Sequence, residues 1–287
     1  MCPNPAMRIR RIAILIDGGF FLKRLPKIVE KKHWESPEAV AESARVLCKR
    51  HVQHLIRESE KATSSKWLDH VYRLFYYDAK PFAEIAHHPL LNQQIQFAKT
   101  REARFREELF NRLRRKRKFA LRLGKVTKED SWRIKNAALT KKILKTRQFS
   151  EFFEQIAAAN TNGEDPPRLD GSQLREFEAM TEAWRNLTPN DVTLALRQKG
   201  VDMRIGTDIA TIALKNQADT IILVTGDSDF VPAAKVARRE GVEFLIDPLW
   251  QSINDDLHEH VDGVVAGFKR SAEGKTILGP NNEEDAG

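Results

Sequence analysis

Cysteine is nearly absent: the chain of 287 residues holds 2, Cys2 and Cys48. That is too few for a disulfide framework, and with no export signal the two are read as free thiols. Long apolar runs are missing too. The sharpest, Ile12 to Ile16 and Ile221 to Val224, fall far short of the roughly 20 residues of a membrane helix. The N-terminal RIRRIAILIDGGFF mimics a signal peptide only until Asp17 ends its apolar run, sooner than an h-region of about 7 residues allows. A cytoplasmic chain with no membrane partner is the expectation. No internal repeat or low-complexity tract is present. Zinc chemistry has little to build on: no Cys cluster accompanies His87 and His88, or His258 and His260, and the latter spacing sends two imidazoles to different faces of a helix.

Acids are scarce in one region. Between Lys99 and Arg147 there are 19 Lys and Arg against 5 Asp and Glu, a balance of +14 in a chain whose total is +8, so the remainder carries −6. A basic module is attached to a mildly acidic one. Its densest run is RLRRKRK, Arg112 to Lys118. Such a run is either a solvated helix face or a surface for phosphates, and the near absence of interleaved acids favours phosphates. Arg114, Arg115, Lys116, Arg117 and Lys118 are the candidate nucleic-acid contacts. Aromatic residues do not interleave with them as in a stacking platform. The overall 41% apolar and 31% charged composition is that of a globular protein with a real core.

The hydrophobic pattern alternates between strands and helices. RIAILI, 11–16, is a run buried on both faces before a glycine turn, with a helix from about Phe20. Ser36 caps a helix reaching about Arg57, with Pro37 at its first position. VYRLFYY, 71–77, reads as a strand ending at Asp78, 90–115 as helical, and Phe119, Leu121 and Leu123 as a half-exposed strand. Helices are expected around 131–146, 148–159 and 172–186. Then come a strand at 192–197, a helical face within 199–217, a strand at 220–225, a helix at 231–240, a strand at 242–246 and a helix at 250–260. The tail from 269 to 287 is expected to be disordered. This alternation implies an α/β fold with a mainly parallel sheet covered on both faces, in which ligands sit at the carboxyl ends of the strands.

Asp17, Asp78 and Asp227 all fall at such ends, and Asp229 follows in GDSDF. Each alone is explained by a turn or a helix cap. Together, carboxylates without cations repel one another, so a cluster predicts a cation. Hard oxygen donors suit Mg2+ or Mn2+. Two such ions are a standard device for phosphodiester cleavage, with no nucleophilic side chain required. Thr225 and Ser228 are minor candidates for contact with water or phosphate. Lys199 either meets a phosphate or balances the acids.

ILIDGGFF, KGVDMRIGTDIATIA and LVTGDSDFVPAAKVARREG together resemble the NYN domain family, in particular its LabA-like branch, related to the PIN-domain nucleases. The resemblance covers residues 9–25 and about 192–265 well. It implies a Rossmann-like three-layer sandwich over residues 7–268, with helical, basic insertions at about 30–70 and 127–190. It also implies a Mg2+- or Mn2+-dependent ribonuclease acting on RNA by a two-metal mechanism. Asp17, Asp208, Asp227 and Asp229 carry over as catalytic acids and metal ligands, while Asp202 belongs to the same motif and is carried over as a catalytic acid that need not face the metals. Many relatives have an Asn just after the first Asp and Gly, where this chain has Gly19 and Phe20. A non-catalytic RNA-binding protein, a DNA nuclease and a phosphatase using the same acids are the alternatives. A homo-oligomer is compatible with the sequence.

Overall fold

The computed structural model describes residues 9–57 and 65–269, leaving aside the side chains of Ser65 and Asp130. Cys2, part of the 30–70 insertion and all but the first residue of the expected tail lie outside these. The elements run β1 (Ile12–Asp17), α1 (Gly18–Ile28), α2 (Pro37–Leu55), β2 (Val71–Lys80), β3 (Ile85–His88), β4 (Gln93–Gln96), α3 (Arg101–Arg115) and β5 (Phe119–Ile134). They continue with α4 (Ala137–Leu144), α5 (Ser150–Asn162), α6 (Gly171–Arg185), β6 (Val192–Lys199), α7 (Val201–Leu214) and β7 (Thr220–Val224). Last come α8 (Val231–Arg239), β8 (Glu243–Asp247), α9 (Asp255–Glu259) and β9 (Gly263–Val264).

Seven strands form one sheet in the order β6-β5-β2-β1-β7-β8-β9. The pairs joining β5, β2, β1, β7, β8 and β9 are all parallel. Period-two alternation divides each central strand between two cores. Ile12, Ile14 and Ile16 of β1 pack with α1, α2 and α3, while Ala13 and Leu15 pack with α7 and α8. This is the three-layer α/β arrangement expected from a strand whose residues 12–16 are all apolar. Each fully buried Ile or Leu contributes about 1.5–3 kcal/mol of transfer free energy, so β1, wholly buried from Ile12 to Ile16, anchors both layers.

The chain divides into two compact units. The first comprises residues up to 84, 97–127 and from 198 onward; the second comprises 85–96 and 128–197. In the second, β3 and β4 pair antiparallel, and Phe149, just ahead of α5, and Phe153 of α5 both meet Phe177 of α6 edge-on.

Three sequence expectations shift. The helix expected from Leu90 begins at Arg101, where Thr100 Oγ1 accepts from Ala103 N at 3.3 Å; the preceding residues pair as the β3–β4 hairpin, whose turn holds Asn92 at φ 50°. Residues 131–134 extend β5, and α4 starts after the Asn136 cap. Leu249 and Trp250 have left-handed backbones, φ 47° and 63°, which prevents a helix from starting there. The five residues of α9 form instead behind Asn254, whose side chain accepts from Leu257 N at 2.9 Å.

Candidate functional site

Asp17 ends β1 and caps α1: its Oδ1 accepts from Phe20 N at 3.0 Å. The turn is forced tight, because a Cβ on Gly18 would lie 2.5 Å from Tyr76 Cε1 and 2.6 Å from Tyr77 O. Register places Asp17 beside Tyr77 of β2, and Ile16 beside Val224 of β7. The loop after β7, carrying Asp227 and Asp229, therefore leaves the sheet next to Asp17. Asp227 caps the short turn ahead of α8, its Oδ1 accepting from Asp229 N at 3.1 Å. The cap is thus Asp227, and both carboxylates remain exposed. A Cβ on Gly226 would meet Gln251 Nε2 at 2.8 Å and Phe20 Cε2 at 3.0 Å, so Phe20 and Gln251 border this mouth.

Asp202 stands in the first turn of α7, just after Gly200, whose φ of 77° turns the chain from β6 into that helix. Its carboxyl is raised above the ordinary range by desolvation and then by the charges of Asp227 and Asp229. Asp17 is raised from 3.8 to about 6, mainly because burial strips its carboxylate of water, with Asp202 and Asp78 adding repulsion against the hydrogen bond from Phe20. Four acids from three segments thus share one negative field. Asp208 lies on α7 but is otherwise engaged: Tyr77 OH donates to its Oδ2 at 2.8 Å and Arg122 Nε at 3.0 Å.

Asp78 is fully buried, with Arg106 donating to its Oδ1. Its Oδ2 and the neighbouring Tyr76 hydroxyl have no hydrogen-bond partner among the described residues. Asp247, which ends β8, has no place in the sequence argument; it is buried against His51 Nε2 at 2.8 Å and accepts from Leu249 N and Gly267 N. His87 meets Asn92 Oδ1, His88 packs against Trp132 with the rings tilted, and His260 Nδ1 meets Asp256 O, so these three histidines have local structural partners.

The basic run is set apart from the acids. Leu74 pairs with Phe119 and Tyr77 with Asp17, so the run that precedes Phe119 lies at the amino ends of the strands, at least about 10 Å below the acids at 3.3 Å per residue. Lys116 pairs with Glu42 at 2.7 Å, Lys118 Nζ donates to Val71 O, and Arg114 donates to Asn111 Oδ1. Arg115 and Arg117 are exposed. Lys199, also exposed, ends β6 three residues before Asp202. Phe20, the departure noted in the ILIDGGFF motif, borders the mouth, whereas Arg122 and Gln251 are neighbours that sequence motifs do not single out; only the register of β5 against β2 reveals Arg122.

These strand-end acids, set on a parallel sheet behind a capped turn, are the arrangement against which relatives can be compared. Residues 134–266 match the NYN domain family. The NYN match takes in Asp202, Asp208, Asp227 and Asp229 and leaves β1 with Asp17 outside it. It supports the NYN family and, at family level, a PIN-like nuclease; the α/β architecture agrees with it. No curated protein matches the chain significantly. A crystal structure of a protein of unknown function from Vibrio parahaemolyticus is similar at 13% identity and a TM-score of 0.39, covering 92% of this chain and 96% of that one. NYN and PIN-like nucleases generally use divalent metals. Among the described residues no three His, Cys, Asp or Glu side chains stand close enough together to hold an ion. The donor chemistry nonetheless fits Mg2+ or Mn2+: every candidate ligand is a carboxylate, and two of them are held above their ordinary pKa range by burial and mutual repulsion that a cation would relieve. No helix among the described residues is long and apolar enough to cross a membrane.

Proposed function

We propose that the chain is a metal-dependent ribonuclease of the LabA-like NYN branch, in which Asp17, Asp227 and Asp229 hold Mg2+ or Mn2+ at the carboxyl ends of β1 and β7, with Asp202 taking the place expected for Asp208, which Tyr77 and Arg122 engage. The observation that carries this reading is that the β1 and β7 strand ends and the start of α7 bring four acids to one edge of the sheet, where Asp202 feels the charges of Asp227 and Asp229 and Asp17 feels that of Asp202. When bound, the divalent cations supply positive charge against the phosphodiester oxygens and activate water for in-line attack. The chain's own part is to hold the donors in place: the Phe20 amide fixes Asp17, and the Asp229 amide fixes Asp227. Asp208, engaged by Tyr77 and Arg122, positions Arg122 near the same strand ends. Lys199 supplies a cation for the substrate backbone, and RNA is favoured by the family resemblance.

A panel of labelled single- and double-stranded RNA and DNA, each incubated with Mg2+, Mn2+ or EDTA, tests the reading. RNA cleavage that needs the metal is expected. Metal-independent cleavage, or metal-dependent cleavage of DNA alone, contradicts it, and RNA binding without cleavage assigns a non-catalytic role.

A further inference from the structure

One cleft of the first unit is not used by the chemistry above. It has a volume of about 480 Å3 and lies between α1, the segment ahead of α2, and the first turns of α3, a size that takes a small ligand. Leu22 and Leu25 form its floor, Trp34 and Phe105 supply half-buried aromatic faces, and Arg101 and Arg106 stand at its rim. The rim carries acceptors as well, in Glu35 and Glu102. Arg106 is committed to Asp78 and Glu102. Arg101 is exposed and makes no hydrogen bond or ion pair through its side chain among the described residues.

Position ties this cleft to the acids. Leu22 lies five residues beyond Asp17 on α1, about 7.5 Å along the axis at 1.5 Å per residue. On the other side, Arg106 reaches from the cleft wall to Asp78, whose charge acts on Asp17. An extended single strand spaces successive phosphates by a similar distance, so a scissile phosphate at Asp17 puts the base of an adjacent nucleotide within reach. A fatty chain would need donors alone at its polar end, whereas a base edge offers both donors and acceptors, as this rim does.

We infer that the cleft receives one unstacked nucleobase of the substrate strand, with Phe105 and Trp34 as stacking faces and Arg101 on the adjoining phosphate. The inference rests on the nucleic-acid reading above and adds to it a place where sequence preference arises. Stacking on an aromatic side chain tolerates any base, so preference comes from the rim carboxylates and arginines. The expected result is a cleavage bias confined to one nucleotide next to the scissile bond.

The test is a binding cycle on the full chain in EDTA, so that no activity is required. A labelled single-stranded RNA of eight nucleotides is compared by fluorescence anisotropy with a series carrying one abasic ribose at each position. Phe105→Leu keeps the wall apolar but loses the ring, and Arg101→Gln changes only an exposed side chain, which keeps the cycle available should the first variant fail to fold. One abasic position should weaken wild-type binding about tenfold and weaken the Phe105→Leu variant less than about twofold, with Arg101→Gln attenuating the same position. If RNA binds and every abasic position costs the same in the wild type and the variants, the cleft is not a base site, while the nuclease reading survives. If the wild type binds no RNA in EDTA and neither binds nor cleaves it with Mg2+ or Mn2+, the nucleic-acid reading itself falls and this inference with it; if it binds only with the metal present, the same abasic series is read with the metal.

Discussion

At the scale of the residue, the account turns on which carboxylates lack compensation. A folded-state pKa of about 6 against 3.8 means that the folded chain holds the Asp17 proton longer than the unfolded chain does. Stability therefore falls as pH rises from about 4 to about 6 and stays reduced above. Asn can still cap α1, so Asp17→Asn should stabilise the metal-free protein at pH 7.5 by up to about 3 kcal/mol. The gain should vanish by about pH 4 in urea titrations, and a variant less stable at pH 7.5 would contradict the electrostatic picture. Adding Mg2+ should raise the wild-type melting temperature and leave that of the variant nearly unchanged. The two α7 acids should differ. Asp202→Asn removes a charge from the shared field and should lower turnover about a hundredfold. Asp208→Asn, which disturbs Arg122 and Tyr77, should lower it less than about tenfold. The reverse order in single-turnover assays would move the metal toward Asp208. Sequence reasoning brings Asp17, Asp227 and Asp229 to one place because each ends or follows an apolar strand. It makes Asp208 a metal ligand and lets Asp202 face away, because spacing along a helix says nothing about Tyr77 and Arg122, which engage Asp208 from the neighbouring strands.

At the scale of the element, the β1–α1 turn is the part least tolerant of change. A side chain on Gly18 meets both a ring and a backbone oxygen of β2, and neither moves without shifting the strand. Gly18→Ala should cost about 1–3 kcal/mol and tilt Asp17 away from its cap. Urea denaturation with cleavage assays would register both losses, and an Ala variant of full stability would show that β2 yields. Buried strands were legible from composition, since β1 is apolar throughout Ile12 to Ile16 and β7 throughout Ile221 to Val224. The β3–β4 hairpin was not, because Gln93 to Gln96 has no apolar alternation and its Gln residues favour helix as readily as strand. The end of β8 shows the limit of position as a signal: Asp247 occupies a strand end like Asp17 yet is consumed by His51 and two backbone amides.

At the scale of the whole molecule, the excess positive charge lies partly at the wrong end of the sheet for catalysis. Arg115 and Arg117 are exposed near the amino ends of the strands, whereas Asp17 is at the carboxyl ends. Changing Arg114, Arg115 and Arg117 to Gln should therefore leave cleavage of a four- or five-nucleotide RNA near wild type. Binding of a long strand should weaken, and its salt slope should fall by about 0.7 for each lost contact. An unchanged slope on long RNA would make the run a solvated face, and a loss on the short RNA would place it at the scissile phosphate. The sequence revealed the charge imbalance but not its location, since RLRRKRK carries no sign of which edge of the sheet its helix approaches.

The most direct test of the central claim is the rate of cleavage of a labelled single-stranded RNA with Mn2+ or Mg2+, measured side by side for the wild type and Asp227→Asn. The amide binds a divalent cation far more weakly than the carboxylate and keeps an oxygen to accept from the Asp229 amide. Cleavage that needs the metal in the wild type, and that falls at least about a hundredfold in a variant of unchanged circular dichroism, is the predicted result. A well-folded Asp227→Asn protein that turns over at the wild-type rate would contradict it.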